Sequence, residues 1–151
     1  MYEFYVGTTP KDPPGNIVKV CLDSDGQLVD KSYYEAVSPA YLCRKGSCIY
    51  AVIENADFGG VQVFDVNKNG SLTAKARLDT EDVYSTYISA EKRGNRIFVA
   101  NYGTPSCAVY RYEAEKLVQE SVLREKKTEK SHIHCAALTP EEAYVLSLIH
   151  I

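Results

Sequence analysis

The chain has 151 residues and a formal net charge of −3, with 45% hydrophobic and 25% charged residues. That is enough for one domain with a real core, and Lys and Arg scattered beside Glu and Asp exclude a basic nucleic-acid surface. No apolar run approaches the roughly 20 residues of a membrane span. The opening Met-Tyr-Glu-Phe-Tyr-Val-Gly lacks the basic and apolar regions of a signal peptide. A cytoplasmic protein is expected, with neither nucleic acid nor membrane as partner. Cys21, Cys43, Cys48, Cys107 and Cys135 are odd in number and show no CxxC spacing. They are expected as free thiols, mostly buried in strands, with Cys43 and Cys48 placed to face each other across a hairpin.

In chain order, β-branched and aromatic runs bounded by Gly, Pro, Asn and Asp predict short strands throughout. The first three cover residues 2–6, 16–22 and 27–37, with a proline-containing loop over 7–15 and a turn at Asp23-Ser24-Asp25-Gly26. Ser38-Pro39 breaks the run. Four strands follow at 40–44, 48–54, 60–66 and 71–79, with a turn at Asn67-Lys68-Asn69-Gly70. Asn69-Gly70-Ser71 matches a glycosylation acceptor but reads as part of that turn. Four more strands are predicted at 84–90, 96–101, 107–113 and 116–123, then a charged loop over 124–130. A strand over 131–138, a Thr139-Pro140-Glu141-Glu142 turn and a strand over 143–151 complete the chain.

The strands repeat. Leu28, Leu72 and Leu117 lie 44 and 45 positions apart, Ile49 and Ile97 lie 48 apart, and Tyr41, Tyr87 and His134 lie 46 and 47 apart. A period in the mid-forties with four short strands per unit is the signature of a β-propeller blade, and no segment has the period of an amphipathic helix. The expected fold is all-β, a partial propeller of four-stranded antiparallel blades. The first strand of each unit should line the central channel, so Tyr41, Tyr87 and His134 are expected at equivalent rim positions. The loops after the second strands, at Glu54-Asn55 and Asn101-Tyr102-Gly103, should open beside them. Propellers have about 4–8 blades, and unpaired sheet edges would remain. Residues 1–145 are therefore expected to be the N-terminal part of a longer propeller domain, inactive alone.

His132 and His134, two apart on a strand, share a face. The pair is either a surface strand end or a site, and an imidazole is the side chain suited to take a proton from water near neutral pH. No cysteine or carboxylate lies at a spacing that would complete a metal site with them. There is no Gly-x-Ser-x-Gly nucleophile motif, and Gly7-Thr8-Thr9-Pro10 lacks the ending of a phosphate loop.

Tyr5-Val6-Gly7-Thr8, Ser38-Pro39-Ala40-Tyr41-Leu42, Tyr50-Ala51-Val52-Ile53-Glu54, Gly59-Gly60-Val61-Gln62-Val63-Phe64, Val99-Ala100-Asn101-Tyr102-Gly103 and His132-Ile133-His134 together resemble the lactonase family of seven-bladed β-propellers. That family includes propeller-type 6-phosphogluconolactonases and carboxymuconate cyclases. The resemblance implies about three of seven blades and a small-molecule lactone as substrate, with no cofactor. It implies one of the paired histidines His132 and His134 as a catalytic acid/base group, and places Glu54, Asn101 and Tyr102 near the same opening; the rim position expected from the repeat puts His134 first and His132 second. Tyr41, Tyr87 and Tyr102 either bind sugar hydroxyls or pack between blades. Glu54 either orients a histidine or is a solvated loop carboxylate, and Asn101 either binds substrate or bonds its own loop.

The implied activity is hydrolysis of a sugar-phosphate lactone in carbohydrate metabolism. The alternatives are a carboxymuconate cyclase-like lactonising enzyme and a non-catalytic binding scaffold. The family's substrate-binding arginines and a further glutamate belong to later blades. Two local departures stand out: Ser85-Thr86-Tyr87 where the family carries Pro-Cys-His or Pro-Ala-His, and Ser131 in place of a proline. A third is the ending, where Leu146-Ser147-Leu148-Ile149-His150-Ile151 replaces the family's Asp-Leu-Gly loop. Residues 146–151 are expected to be a non-native tail, and His150 is given no role.

Overall fold

The second strand of each unit carries the core, because its side chains alternate between two buried faces. The computed structural model describes residues 1–9, 15–125 and 131–150. Among them are the strands β1 (Tyr2–Gly7), β2 (Gly15–Leu22), β3 (Leu28–Ala36), β4 (Leu42–Lys45), β5 (Cys48–Val52), β6 (Gly59–Val66) and β7 (Leu72–Thr80). They continue with β8 (Ser85–Ala90), β9 (Arg96–Asn101), β10 (Ser106–Glu113), β11 (Lys116–Arg124), β12 (His132–Leu138) and β13 (Val145–His150). The sheets are β1-β2-β3, β4-β5-β6-β7, β8-β9-β10-β11 and β12-β13, all antiparallel. Every predicted strand is present, with ends within two residues over most of the chain. Parts of the two expected loops, residues 10–14 and 126–130, and Ile151 lie outside the described residues. Strand β13 runs through residues set apart above as a tail.

Consecutive sheets pack face to face. On β5, Ile49 and Ala51 join Ile17, Ala36 and Phe64 between the first and second sheets. Tyr50 and Val52 point the other way and pack with Ile88, Ile97, Val99 and Tyr110 between the second and third. On β9, Phe98 and Ala100 continue the pattern toward Ile133 and Ala136 of the fourth. Each fully buried Val or Ile contributes roughly 1.5–3 kcal/mol. A one-residue slip of β5 or β9 would send every side chain to the wrong interface, so the register is strongly specified.

Four glycines among the described residues have positive φ, and two of them shape the packing of the second sheet. Gly70, at φ 75, closes the β6–β7 turn. That turn docks on the first sheet: its carbonyl accepts from Tyr5 Oη at 2.9 Å, and Asn69 O accepts from Lys19 Nζ at 2.9 Å. Lys19 is buried but paired with Glu3 at 2.7 Å. Gly60, at φ 139, occupies a region that side chains do not adopt, and a Cβ there would run into the Leu78 carbonyl. Gly60→Ala in the full-length protein is expected to cost roughly 1–3 kcal/mol from backbone strain alone. It should be read as a lower urea midpoint; an unmoved midpoint would refute the strain.

Three expectations are corrected. Cys43 pairs with Tyr50 and Cys48 with Lys45, so the two thiols are not opposite each other. All five cysteines are free, but only Cys21 is fully buried. The strand expected from residue 40 begins at Leu42, because Ser38 adopts φ 38 and its carbonyl takes the Ala40 N–H at 2.9 Å in a tight turn.

Candidate active site

The inner strands β8 and β12 each open with the same irregularity. On β8, Ser85 pairs with Asn101 and Tyr87 with Ala100, leaving Thr86 as an extra, bulged residue. On β12, Ile133 pairs with Ile149 and Cys135 with Leu148, leaving His134 bulged. A bulge bends the strand and re-aims the residue it carries. The pairing makes Thr86 the counterpart of His134, and Tyr84 the counterpart of His132, at an offset of 48. This corrects the expected equivalence of Tyr41, Tyr87 and His134. Tyr41 and Tyr87 do correspond, through their partners Val52 and Ala100, but the third member of that row is Cys135.

Glu54, Tyr84, Thr86, Tyr102 and His134 line one cleft of about 350 Å³, within the size range of small-ligand sites. Its walls are tied together by backbone. Glu54 N–H donates to Ser38 O at 3.0 Å, and at the equivalent place in the next sheet Tyr102 N–H donates to Tyr84 O at 2.8 Å. Tyr84 N–H in turn donates to Asn55 O at 2.9 Å. Tyr84 is held at φ 52, a strained conformation for an aromatic residue of the kind that clusters at functional sites.

Tyr102 is the ring both histidines reach. His132 stacks on it with centroids 4.0 Å apart and planes within 5°, and His134 meets it at 4.6 Å and 65°. His132 Nδ1 lies 3.0 Å from the Tyr102 carbonyl. A carbonyl only accepts, so Nδ1 carries the proton and Nε2 is the basic nitrogen of neutral His132.

Burial raises the Glu54 carboxyl above its ordinary value. Folding therefore penalises the charged form relative to the unfolded chain. Below the unfolded value, near 4.3, both states are protonated and no penalty exists; as pH rises through the folded value, the buried carboxylate becomes a cost. Glu54→Gln should therefore raise the thermal midpoint at neutral pH, and the gain should vanish at pH 3–4. A gain independent of pH would show that ionisation of Glu54 is not its source.

The other sequence candidates lie apart from the cleft wall. Tyr41 and Tyr87 pack on each other, centroids 4.5 Å apart. Burial, then the neighbouring Tyr41, pushes the Tyr87 phenol up to about 12, so it stays protonated at neutral pH. Asn101 is fully buried. Its Oδ1 accepts from Ser85 Oγ at 2.7 Å and its Nδ2 donates to Ser106 Oγ at 2.9 Å, which places it as a strut behind the cleft. Sequence reasoning missed Tyr84 and Thr86; the offset of 48 between Ile49 and Ile97, applied backwards from His132 and His134, points to both.

Among the described residues, no three His, Cys, Asp or Glu side chains are grouped to hold a metal ion. A larger groove, about 760 Å³, runs along the outer strands and includes Asp57, Asp79, Glu81 and Asp82. It contains no histidine, and buried Asp82 is paired with Arg124 at 3.3 Å.

The model of the lactonase family, described as a 7-bladed β-propeller, matches residues 3–148. The chain belongs to this lactonase family. It is 28% identical over 160 residues to a 6-phosphogluconolactonase of Bacillus subtilis, covering 97% of this chain and 46% of that protein. An uncharacterised protein of Staphylococcus saprophyticus is 26% identical, with 95% of this chain and 46% of the relative covered. The fold matches the periplasmic gluconolactonase of Pseudomonas aeruginosa with a TM-score of 0.84 at 21% identity, over 98% of this chain and 47% of that one. At that identity the likeness carries the fold alone. This lactonase-family chain thus spans about half the length of the relatives it matches, and its sheets form part of a propeller.

Proposed function

We propose that the full-length protein hydrolyses a sugar-phosphate lactone of the 6-phosphogluconolactonase type. The observation that carries this reading is the cleft in which His134, Glu54 and Tyr102 meet, in a chain of the lactonase family. His134 takes a proton from water as the oxygen attacks the lactone carbonyl. The ring C–O bond then breaks, and the imidazolium returns the proton to the departing ring oxygen, so lactone and water become a hydroxy acid. Water is the only co-reactant. His132 and Tyr102 hold the rim: the stacked pair fixes the ring against which His134 sits. Glu54 lines the same cleft, close enough to share it with His134.

Among the described residues no Lys or Arg lines the cleft, so recognition of the substrate's phosphate is assigned to parts of the protein beyond this cleft wall. A reducing, cytoplasmic setting fits the five unpaired thiols. The test is continuous titration of acid released from 6-phosphogluconolactone by the full-length protein. Turnover well above spontaneous hydrolysis supports the reading; a rate equal to the buffer blank with every sugar lactone tried would sink it.

A further inference from the structure

We infer that Thr86 is a specificity-determining residue of the cleft, its hydroxyl pairing with a ring hydroxyl of the lactone substrate. The inference rests on the lactone-hydrolase reading of that cleft. Three observations lead to it. Thr86 is the bulged residue of β8 as His134 is of β12, and both line the same cleft. Equivalent bulges in adjacent sheets thus bring one histidine and one threonine side chain to one ligand volume.

The second observation is that Thr86 Oγ1 is buried and has no hydrogen-bond partner among the described residues. Its neighbour Ser85 is fully engaged, accepting from Gly60 N–H at 3.0 Å and donating to Asn101, so the orphan is specific to the cleft-lining side chain. A buried hydroxyl without a partner costs free energy that a valine of the same shape avoids. Folding alone therefore favours valine here. The other orphan among the described residues, Tyr110 Oη, lies in the packed interface between the second and third sheets and lines no part of this cleft.

The third is chemical. A threonine hydroxyl both donates and accepts, which matches a sugar hydroxyl, and among the described residues no Lys or Arg lines the cleft to select an anionic group. In this rotamer the hydroxyl is buried; a χ1 step of about 120° moves it to another staggered position on the same Cβ.

The experiment compares wild type, Thr86→Val and Thr86→Ser in the full-length protein. Thr86→Val should raise KM roughly five- to tenfold, the worth of one hydrogen bond, with kcat within about twofold, and Thr86→Ser should restore KM. The thermal midpoint of Thr86→Val should hold or rise. An unmoved KM, or a fall in kcat alone, overturns the inference. Independently of any variant, wild type is assayed on lactones lacking one ring hydroxyl at a time. One deletion should raise KM by a similar factor, and the Val substitution should have no further effect on that analogue. If no single deletion matters, the inference fails. A wild type inactive on every lactone is a different result: it removes the hydrolase reading itself.

Discussion

Replacing His134 by alanine in the full-length protein is expected to lower kcat for lactone hydrolysis about 10²–10⁴-fold, the usual worth of a positioned general base. KM should move little, because a group that acts on water contributes mainly in the transition state. The fold should survive. His134 is half-buried and sits on a bulge, where it is outside the regular pairing of β12. Added imidazole should recover part of the lost rate, which a packing defect would not allow. His132→Ala tests a different role. His132 is stacked against Tyr102 and hydrogen-bonded to its carbonyl, so its loss frees the Tyr102 ring, and the defect should be smaller and not rescued by imidazole. A His134→Ala protein within tenfold of wild type would mean that another group takes the proton.

Much of the architecture was legible because burial on both faces leaves a mark in sequence. Runs such as Cys48-Ile49-Tyr50-Ala51-Val52 and Arg96-Ile97-Phe98-Val99-Ala100 have no polar alternation, as strands buried between two layers require. Turns at Asp23 and Asn67 are closed by their own side chains: Asp23 Oδ1 accepts from Gln27 N at 2.8 Å, and Asn67 Nδ2 donates to Ser71 Oγ at 2.8 Å. The loop residues Glu54 and Tyr102, 48 apart, were also readable, and the structure brings them to one cleft with His134.

The bulges were not readable. A bulge adds one residue without changing composition, so subtracting positions aligns Tyr87 with His134 when the pairing aligns Thr86. For Asn101 two alternatives stood open, and the structure bonds it to side chains, Ser106 at the end of its own loop and Ser85 on β8; nothing in Val-Ala-Asn-Tyr-Gly distinguishes that direction from the cleft side.

That inward direction makes Asn101 the position where a single change is expected to hurt stability most. Its carboxamide joins Ser85 and Ser106, Ser85 Oγ also takes the Gly60 N–H, and all three side chains are completely buried. Asn101→Leu keeps approximate size and removes both ends of the chain of bonds. It leaves two hydroxyls in a dry interior, each costing roughly 1–3 kcal/mol, so a loss of about 2–5 kcal/mol is expected. That is a large share of the roughly 5–15 kcal/mol that holds a domain folded. The urea midpoint should fall with the slope unchanged. Because Ser85 precedes the bulge that carries Thr86, the same substitution should also raise KM, whereas Ser106→Ala, at the far end of the network, should weaken the fold with less effect on KM. Equal KM for the two variants would separate the network from the cleft and leave Asn101 as a purely structural strut.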